Sequence, residues 1–402
     1  MRNVLYIAAA VPYDTVGHGG GQTLNYYIKT MAKQDKVKVR IISFCTAEVM
    51  DKLDFEQYDI ESDIIVRTND IKNACGNLLS INSKFNPWHK NGNIMTWYAK
   101  HLLIEKLKCL KKGGYVPDVI IMEWTQIVLL TGEIKKVYPS VPVVASEHDV
   151  TFLGKCRISA LETNRVKKIY RVIQANNIRR REINALKLCN LVYTHNRKDD
   201  ELLKQEGIGE DLRRTLVPYF HKSKSERTPH NNDILFYGNM RRQENHQTAV
   251  WFIRNVMPLI KDLPCRFVII GGNPLDELKN MASPKVLVTG FVKEIDRYFA
   301  EALCFAAPLV MGAGIKIKVM EALYTGIPVI TNEIGIEGIP AEDGKDYLSA
   351  SGPEEYAQYI RQLYRGDIDE KNLHGREFME ETFSYEDSFR DYFKNIMDLT
   401  KD

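Results

Sequence analysis

The sequence predicts an α/β chain built from two doubly wound, parallel-sheet domains. Three observations carry this: short apolar runs that alternate with helical periodicity, a polar stretch at the midpoint, and a length of 402 residues. At roughly 100–200 residues per domain, that length allows two or three domains, each able to bury a core. A composition with 44% hydrophobic and 27% charged residues excludes disordered and fibrous chains. Lys+Arg 55 against Asp+Glu 52 leaves a net charge of +3, too balanced for a chain devoted to neutralising nucleic acid. The seven cysteines are scattered and show no CxxC spacing, which argues against a disulfide framework or a zinc site and for a reducing compartment. No apolar run approaches the roughly 18–20 residues of a membrane helix.

In the first half, the apolar runs 4–10, 37–44, 119–123, 141–146 and 191–194 read as strands. Met1-Arg2 followed by apolar residues also has the outline of a short signal peptide; the odd cysteine count favours a buried first strand running into a glycine loop. Residues 45–115 read as loops and a helix, with Phe85, Trp88, Trp97 and Tyr98 expected on a binding surface. Residues 221–233, polar and holding Pro229, read as a linker between a domain at 1–220 and a domain at 234–380. The second-half strands are 234–237, 266–270, 286–289, 304–307 and 328–331. Ala249, Val250, Ile253, Val256 and Met257 mark one amphipathic helix. Ile315, Val319, Ala322 and Leu323 mark another, closed by Gly326-Ile-Pro328. Residues 381–402 are expected to form a helix that crosses back to the first domain.

Two junctions point to chemistry. After the first strand comes Gly17-His-Gly-Gly-Gly-Gln22, followed by Leu24, Tyr27, Ile28 and Met31 at helical spacing. Such a strand-to-helix turn lets backbone amides approach a phosphate at the positive end of the helix. It is not the dinucleotide fingerprint, because Gln22 replaces the third glycine and no acidic residue ends the second strand. The second junction runs Pro308-Leu-Val-Met-Gly-Ala-Gly-Ile-Lys-Ile-Lys-Val-Met-Glu321. Lys316 and Lys318 stand at a helix start, where the dipole disfavours cations unless an anion is bound. A phosphate or diphosphate ligand is therefore expected, with Glu321 one turn on, placed to hold two ribose hydroxyls. The alternative is a solvated helix start with a Lys318–Glu321 ion pair.

This stretch closely resembles the nucleotide-sugar site of GT-B fold glycosyltransferases, in particular the retaining family 4, or group 1, transferases. The resemblance takes in the Gly19–Gly21 loop, Ser146-Glu-His-Asp149, Phe236-Tyr-Gly-Asn-Met240, Val288-Thr-Gly-Phe291 and Glu321-Ala-Leu-x-x-Gly-x-Pro-Val-Ile330, in the family's order. It implies two Rossmann-like domains facing each other across a cleft. Gly19, Gly20 and Gly21 would approach the donor diphosphate, Glu321 the ribose, and Gly290 and Phe291 the base. Gly238, Asn239, Met240, Gly312, Ala313, Gly314, Ile315, Lys316 and Lys318 would complete the donor site. His148 and Asp149 would take the catalytic positions beside the sugar and acceptor.

Two departures stand out. Ala313 replaces the first of the family's two glutamates, and Asn239 and Glu244 stand near its usual Arg and Lys. The pattern Gly-x-Gly-Ile-Lys-x-Lys resembles a subgroup that looks like exopolysaccharide or sugar transferases, with Lys316 and Lys318 supplying the missing cations. The resemblance implies a metal-independent, retaining hexosyltransferase. Its co-substrate would be a UDP- or GDP-type sugar and its acceptor a saccharide, lipid-linked sugar or protein, with no other cofactor. Two alternatives are a non-catalytic GT-B module that binds a glycan or partner protein, favoured by Ala313, and a nucleotide-sugar epimerase. Finally, Arg165, Lys167, Lys168, Arg171 and Arg179–Arg181 interleave with Val166, Ile169 and Val172. Such a stretch fits either a solvated face or peripheral contact, through 165–181, with the cytoplasmic face of a membrane.

Overall fold

The computed structural model describes residues 1–67, 86–88, 94–312 and 314–401. Phe85 of the aromatic group and Ala313 of the second glycine turn lie outside the described residues. The chain divides into two units: residues 1–218 together with 385–402, and residues 219–384.

Unit 1 holds a seven-stranded parallel sheet in the order β3-β2-β1-β4-β5-β6-β7. Its strands are β1 Arg2–Ala8, β2 Val37–Thr46, β3 Ile60–Arg67, β4 Val119–Glu123, β5 Val143–Glu147, β6 Leu191–Thr194 and β7 Arg213–Thr215. β1 pairs in parallel with β2 on one side and β4 on the other, so Val4 lies opposite both Val39 and Val119. The continuous apolar run of β1 follows from burial on both faces. Leu5 and Ile7 point into a core shared with Leu103 and Leu107 of the Trp97–Lys112 helix. Val4, Tyr6 and Ala8 point into the opposite core, shared with Tyr27 and Ile28 of the Gly19–Ala32 helix and with Phe389, Tyr392 and Ile396 of the Tyr385–Asp398 helix. The last helix of the chain is therefore part of unit 1.

Unit 2 repeats the pattern with six parallel strands in the order β10-β9-β8-β11-β12-β13. They are β8 Asp233–Tyr237, β9 Arg266–Ile270, β10 Val286–Gly290, β11 Cys304–Ala307, β12 Val329–Thr331 and β13 Leu348–Ser349. Residues 216–232 carry neither helix nor strand. In both sheets the strand order reverses direction once, between β1 and β4 and between β8 and β11. Open parallel sheets bind ligands beyond the carboxyl ends of the strands at that point.

Three strands escape the sequence reading. β3, reading Ile60-Glu-Ser-Asp-Ile-Ile-Val-Arg67, is an edge strand with charges on its exposed side, and β7 and β13 are only three and two residues long. Among the described residues no helix is long and apolar enough to cross a membrane.

Candidate functional site

In unit 1 the site residues stand at the carboxyl ends of consecutive strands. Beyond β1, the Gly19–Ala32 helix begins inside the glycine run, and His18 caps it by accepting the Gly21 N–H on Nδ1 at 3.0 Å. Gly20 is needed for close approach: a Cβ there would lie 3.1 Å from Nδ1 of His148 and 3.2 Å from Nε1 of Trp124. His148 follows β5, and its side chain is 9% exposed. Its ring stacks between Trp124 and His195, with centroids 4.6 Å away on each side and interplanar angles of 24° and 25°. Nε2 of His148 lies 2.9 Å from Oε2 of Glu123, the last residue of β4. Trp124 holds a left-handed φ of 69°, rare for a bulky residue and sustained only where the surrounding structure fixes it.

Burial sets the protonation of this cluster. It pushes His148 and His195 down to about 3, so both rings are neutral, and pushes the Glu123 carboxyl up to about 7. His195 Nδ1 lies 3.1 Å from the Leu216 carbonyl, an acceptor, so Nδ1 carries the hydrogen. Its Nε2 is buried with no partner among the described residues.

Behind the stack, Glu182 accepts the backbone N–H of Thr151 at 2.9 Å and of Phe152 at 3.0 Å. It caps the Thr151–Leu161 helix from the neighbouring Arg165–Leu186 helix. Thr125 donates to Glu147 at 2.5 Å, and Oε1 of Glu147 has no hydrogen-bond partner among the described residues. Desolvation pushes Glu147 well above the carboxylate range and Glu182 up to about 8, with the charge of Asp149 raising both.

Unit 2 places its candidate residues in the same way. Gly238 follows β8 with φ 154°, and a Cβ there would meet Nδ2 of Asn245 at 2.5 Å and Nζ of Lys318 at 3.0 Å. Gly271, beyond β9, would carry its Cβ 1.8 Å from the Gly238 carbonyl oxygen, so the two strand ends can meet only with glycine at 271. Lys318 lies in the first turn of the Ile317–Thr325 helix, donates to Oδ1 of Asn245 and sits over the Phe236 ring at 4.7 Å. Desolvation, with the positive charge of Arg242 adding to it, pulls Lys318 down to about 7. Lys316 stands immediately before this helix without capping it; its side chain donates to the Gly314 carbonyl and lies 3.4 Å from Glu337. Glu321 accepts the His221 N–H at 2.9 Å, and burial pushes its carboxyl up to about 7.

Gly312 and Gly314 take φ values of 141° and 70°, and Ile315 is half-buried after them. Gly290 has φ 71° and accepts the Gly271 N–H at 2.8 Å, while the Phe291 side chain beside it is 80% exposed. Met240 is fully buried, so it offers a ligand backbone alone. Its N–H donates to Gly272, and the Asn239 carbonyl accepts from Asn245.

Lys318 and Glu321 thus keep separate partners. The structure brings Lys318 and Gly238 together through Asn245, and Gly20 and His148 through direct packing. Glu123, Trp124, His195 and Asn245 do not appear among the sequence candidates. Their one signal is position, since the first three are polar or aromatic residues closing or following an apolar run. Among the described residues no three His, Cys, Asp or Glu side chains converge as metal ligands.

Two sheets of this order, each with a glycine turn at its reversal point, invite comparison with known proteins. Residues 231–366 match the family model of Glycosyl transferases group 1. The matched residues lie wholly within unit 2, which spans 219–384. An uncharacterised 44.6 kDa protein from the cps region of Klebsiella pneumoniae is 25% identical over 192 residues, 44% of this chain and 50% of that one. The chain therefore spans about half the length of this curated relative. Over the whole chain, the fold resembles HepE of Anabaena in complex with UDP-glucose, with a TM-score of 0.66, 12% identity, and 99% and 100% of the two chains covered. It also resembles sucrose-phosphate synthase of Thermosynechococcus elongatus, with a TM-score of 0.65, 12% identity and 99% of each chain covered. A third similar structure is the lipopolysaccharide outer core galactosyltransferase WaaB, with a TM-score of 0.62, 12% identity, and 98% and 99% covered. The fold is GT-B.

Proposed function

We propose that this protein transfers a sugar from a nucleoside-diphosphate sugar to a saccharide or lipid-linked acceptor, with retention of configuration and without a metal, in polysaccharide biosynthesis. The carrying observation is the start of the Ile317–Thr325 helix. Lys318 meets Gly238 and Asn245 there at the reversal point of the second sheet, with Lys316 one residue before the helix and Glu321 one turn on, inside the residues that match the group 1 family model. A diphosphate at this helix start would meet backbone amides and Lys318, with Glu321 holding the ribose. Leaving-group charge would then be met by the lysines and the helix end. The UDP-glucose bound to HepE and the cps-region relative support a nucleotide-sugar donor and a polysaccharide setting. In unit 1, His148 and Asp149 would serve the sugar and acceptor, with Gly19–Gly21 offering amides to the diphosphate.

A thermal-shift screen of uridine and guanosine diphosphates and their sugars tests this, because a tight ligand raises apparent stability by mass action. Glu321→Ala is expected to abolish donor turnover with folding intact; full turnover in that variant overturns the reading. Ala313, in place of a usual glutamate, favours a non-catalytic binding module as the second reading. That module would show no affinity for either nucleotide by calorimetry.

The same reading puts the protein at the cytoplasmic face of a membrane, where a lipid-linked acceptor is reached. Its support is a run of exposed apolar residues, Ile158, Leu161, Val166, Ile169 and Val172, interleaved in the chain with Arg165, Lys167 and Lys168. Flotation with liposomes of anionic lipid is expected for the native chain, and equal flotation after Val166→Asp with Ile169→Asp removes this surface as an anchor.

A further inference from the structure

Histidine binds ligands with whichever ring nitrogen its protein partner leaves open, and the partner decides whether that nitrogen donates or accepts. In unit 1, Nε2 of His148 is occupied by Glu123 at 2.9 Å. Nδ1 makes no hydrogen bond among the described residues and lies along the edge where Gly20 allows the helix start to approach. Ring rotation is blocked by Trp124 on one face and His195 on the other. His195 is itself fixed by its bond to the Leu216 carbonyl. Three strand ends, those of β4, β5 and β6, thus hold one imidazole in one plane with one nitrogen open.

We infer that Glu123 is a positioning residue for His148: its carboxylate takes the Nε2 hydrogen, so that Nδ1 presents a lone pair to a ligand hydroxyl beside Gly20. The inference rests on the proposed reaction, in which that hydroxyl belongs to the sugar or the acceptor. No bond is made or broken; the hydroxyl donates and Nδ1 accepts. When Glu123 takes up a proton, its carboxyl donates to Nε2, the ring hydrogen moves to Nδ1, and the open nitrogen becomes a donor. The groups bearing on this proton are Ser146 and His148 beyond or within β5, His195 beyond β6, Tyr6 of β1 and Tyr392 of the last helix. Among these, only Glu123 changes charge near neutrality, because burial pushes it up to about 7 while the histidines fall to about 3 and the tyrosines rise.

Nitrogen-15 spectra of the full chain, with His148 assigned by its loss in His148→Asn, read the tautomer without any ligand. At pH 8.5 Nε2 is expected protonated and Nδ1 bare, with the reverse emerging below pH 6. Nδ1 protonated at pH 8.5 overturns the inference. Glu123→Gln is expected to remove the pH switch and to lower kcat for nucleoside-diphosphate release about 10–100-fold, by analogy with the loss when the hydrogen-bond partner of a metal-ligating histidine is removed. KM should stay near its native value, and Glu123→Asp should recover part of kcat. An unchanged kcat in a folded Glu123→Gln protein also overturns it. If the native protein turns over no sugar nucleotide, the proposed function fails, and the tautomer alone decides the role of Glu123.

Discussion

Lys318 and Glu321 share an unusual property: burial holds a lysine and a carboxyl of the same helix both near pH 7. Lys318, lowered from 10.5, is largely neutral above that pH and cationic below it, while Glu321 is anionic above and neutral below. The change at Lys318 makes the helix start more hospitable to a diphosphate as the pH falls, whereas the change at Glu321 removes the carboxylate proposed to hold the ribose. The Lys318 share of uridine diphosphate affinity is therefore expected to rise between pH 8 and 6, by up to about tenfold per pH unit. Calorimetry in buffers of different ionisation enthalpy checks the uptake, and Lys318→Gln should flatten the slope. At Gly20 the constraint is steric. The Cβ of Gly20→Ala would press on His148 and Trp124, so donor turnover should fall while stability changes by about 1 kcal/mol or less, readable by urea titration. Gly271→Ala is the contrasting case. Its Cβ collides with backbone rather than a side chain, and a loss of about 2–4 kcal/mol is expected.

The elements show how much of this was legible beforehand. Strands buried on both faces announce themselves as unbroken apolar runs, which is why β1, β4, β5 and β9 are readable. Among the described residues β3 pairs only with β2, and it carries Glu61 and Asp63 for Arg40, so its sequence reads as a polar loop. The candidate residues Gly19–Gly21, Lys316, Lys318 and Glu321 were visible because each belongs to a local pattern at one helix start. Glu123, His148 and His195 come together from three strands, and no spacing along the chain records that meeting. The Glu182 cap was hidden for the same reason. Its replacement by Ala strands the Thr151 and Phe152 amides, and a loss of about 1–3 kcal/mol is expected in chemical denaturation. The sign of its pH effect follows from a folded pKa raised from 4.5 to about 8. Glu182 contributes stability below the unfolded value and loses it as the pH rises through 8, so the penalty for removing its side chain should be largest in acid.

At the scale of the molecule, the governing fact is that unit 2 is inserted within unit 1. The Tyr385–Asp398 helix returns to the first sheet, where Phe389, Tyr392 and Ile396 are buried against Tyr6 and Tyr27. Those three side chains are worth about 5–9 kcal/mol as an upper figure, comparable to the whole stability of a domain. A chain ending at Ser384 is therefore expected to lose the protease resistance of residues 1–218 while residues 219–384 persist as a resistant fragment. A resistant first unit in that truncation would show the helix to be dispensable.

The inserted arrangement also orders events at the ribosome. Most of unit 1 precedes unit 2 in the chain, yet the apolar face formed by Tyr6, Tyr27 and Ile28 stays without the Tyr385–Asp398 helix until those residues emerge. Unit 2, contiguous in the chain, can finish folding before them. The first sheet thus has all its strands before one face is fully covered, and for the time needed to translate some 170 residues its open side is a surface that chaperones, rather than the protein itself, must shield.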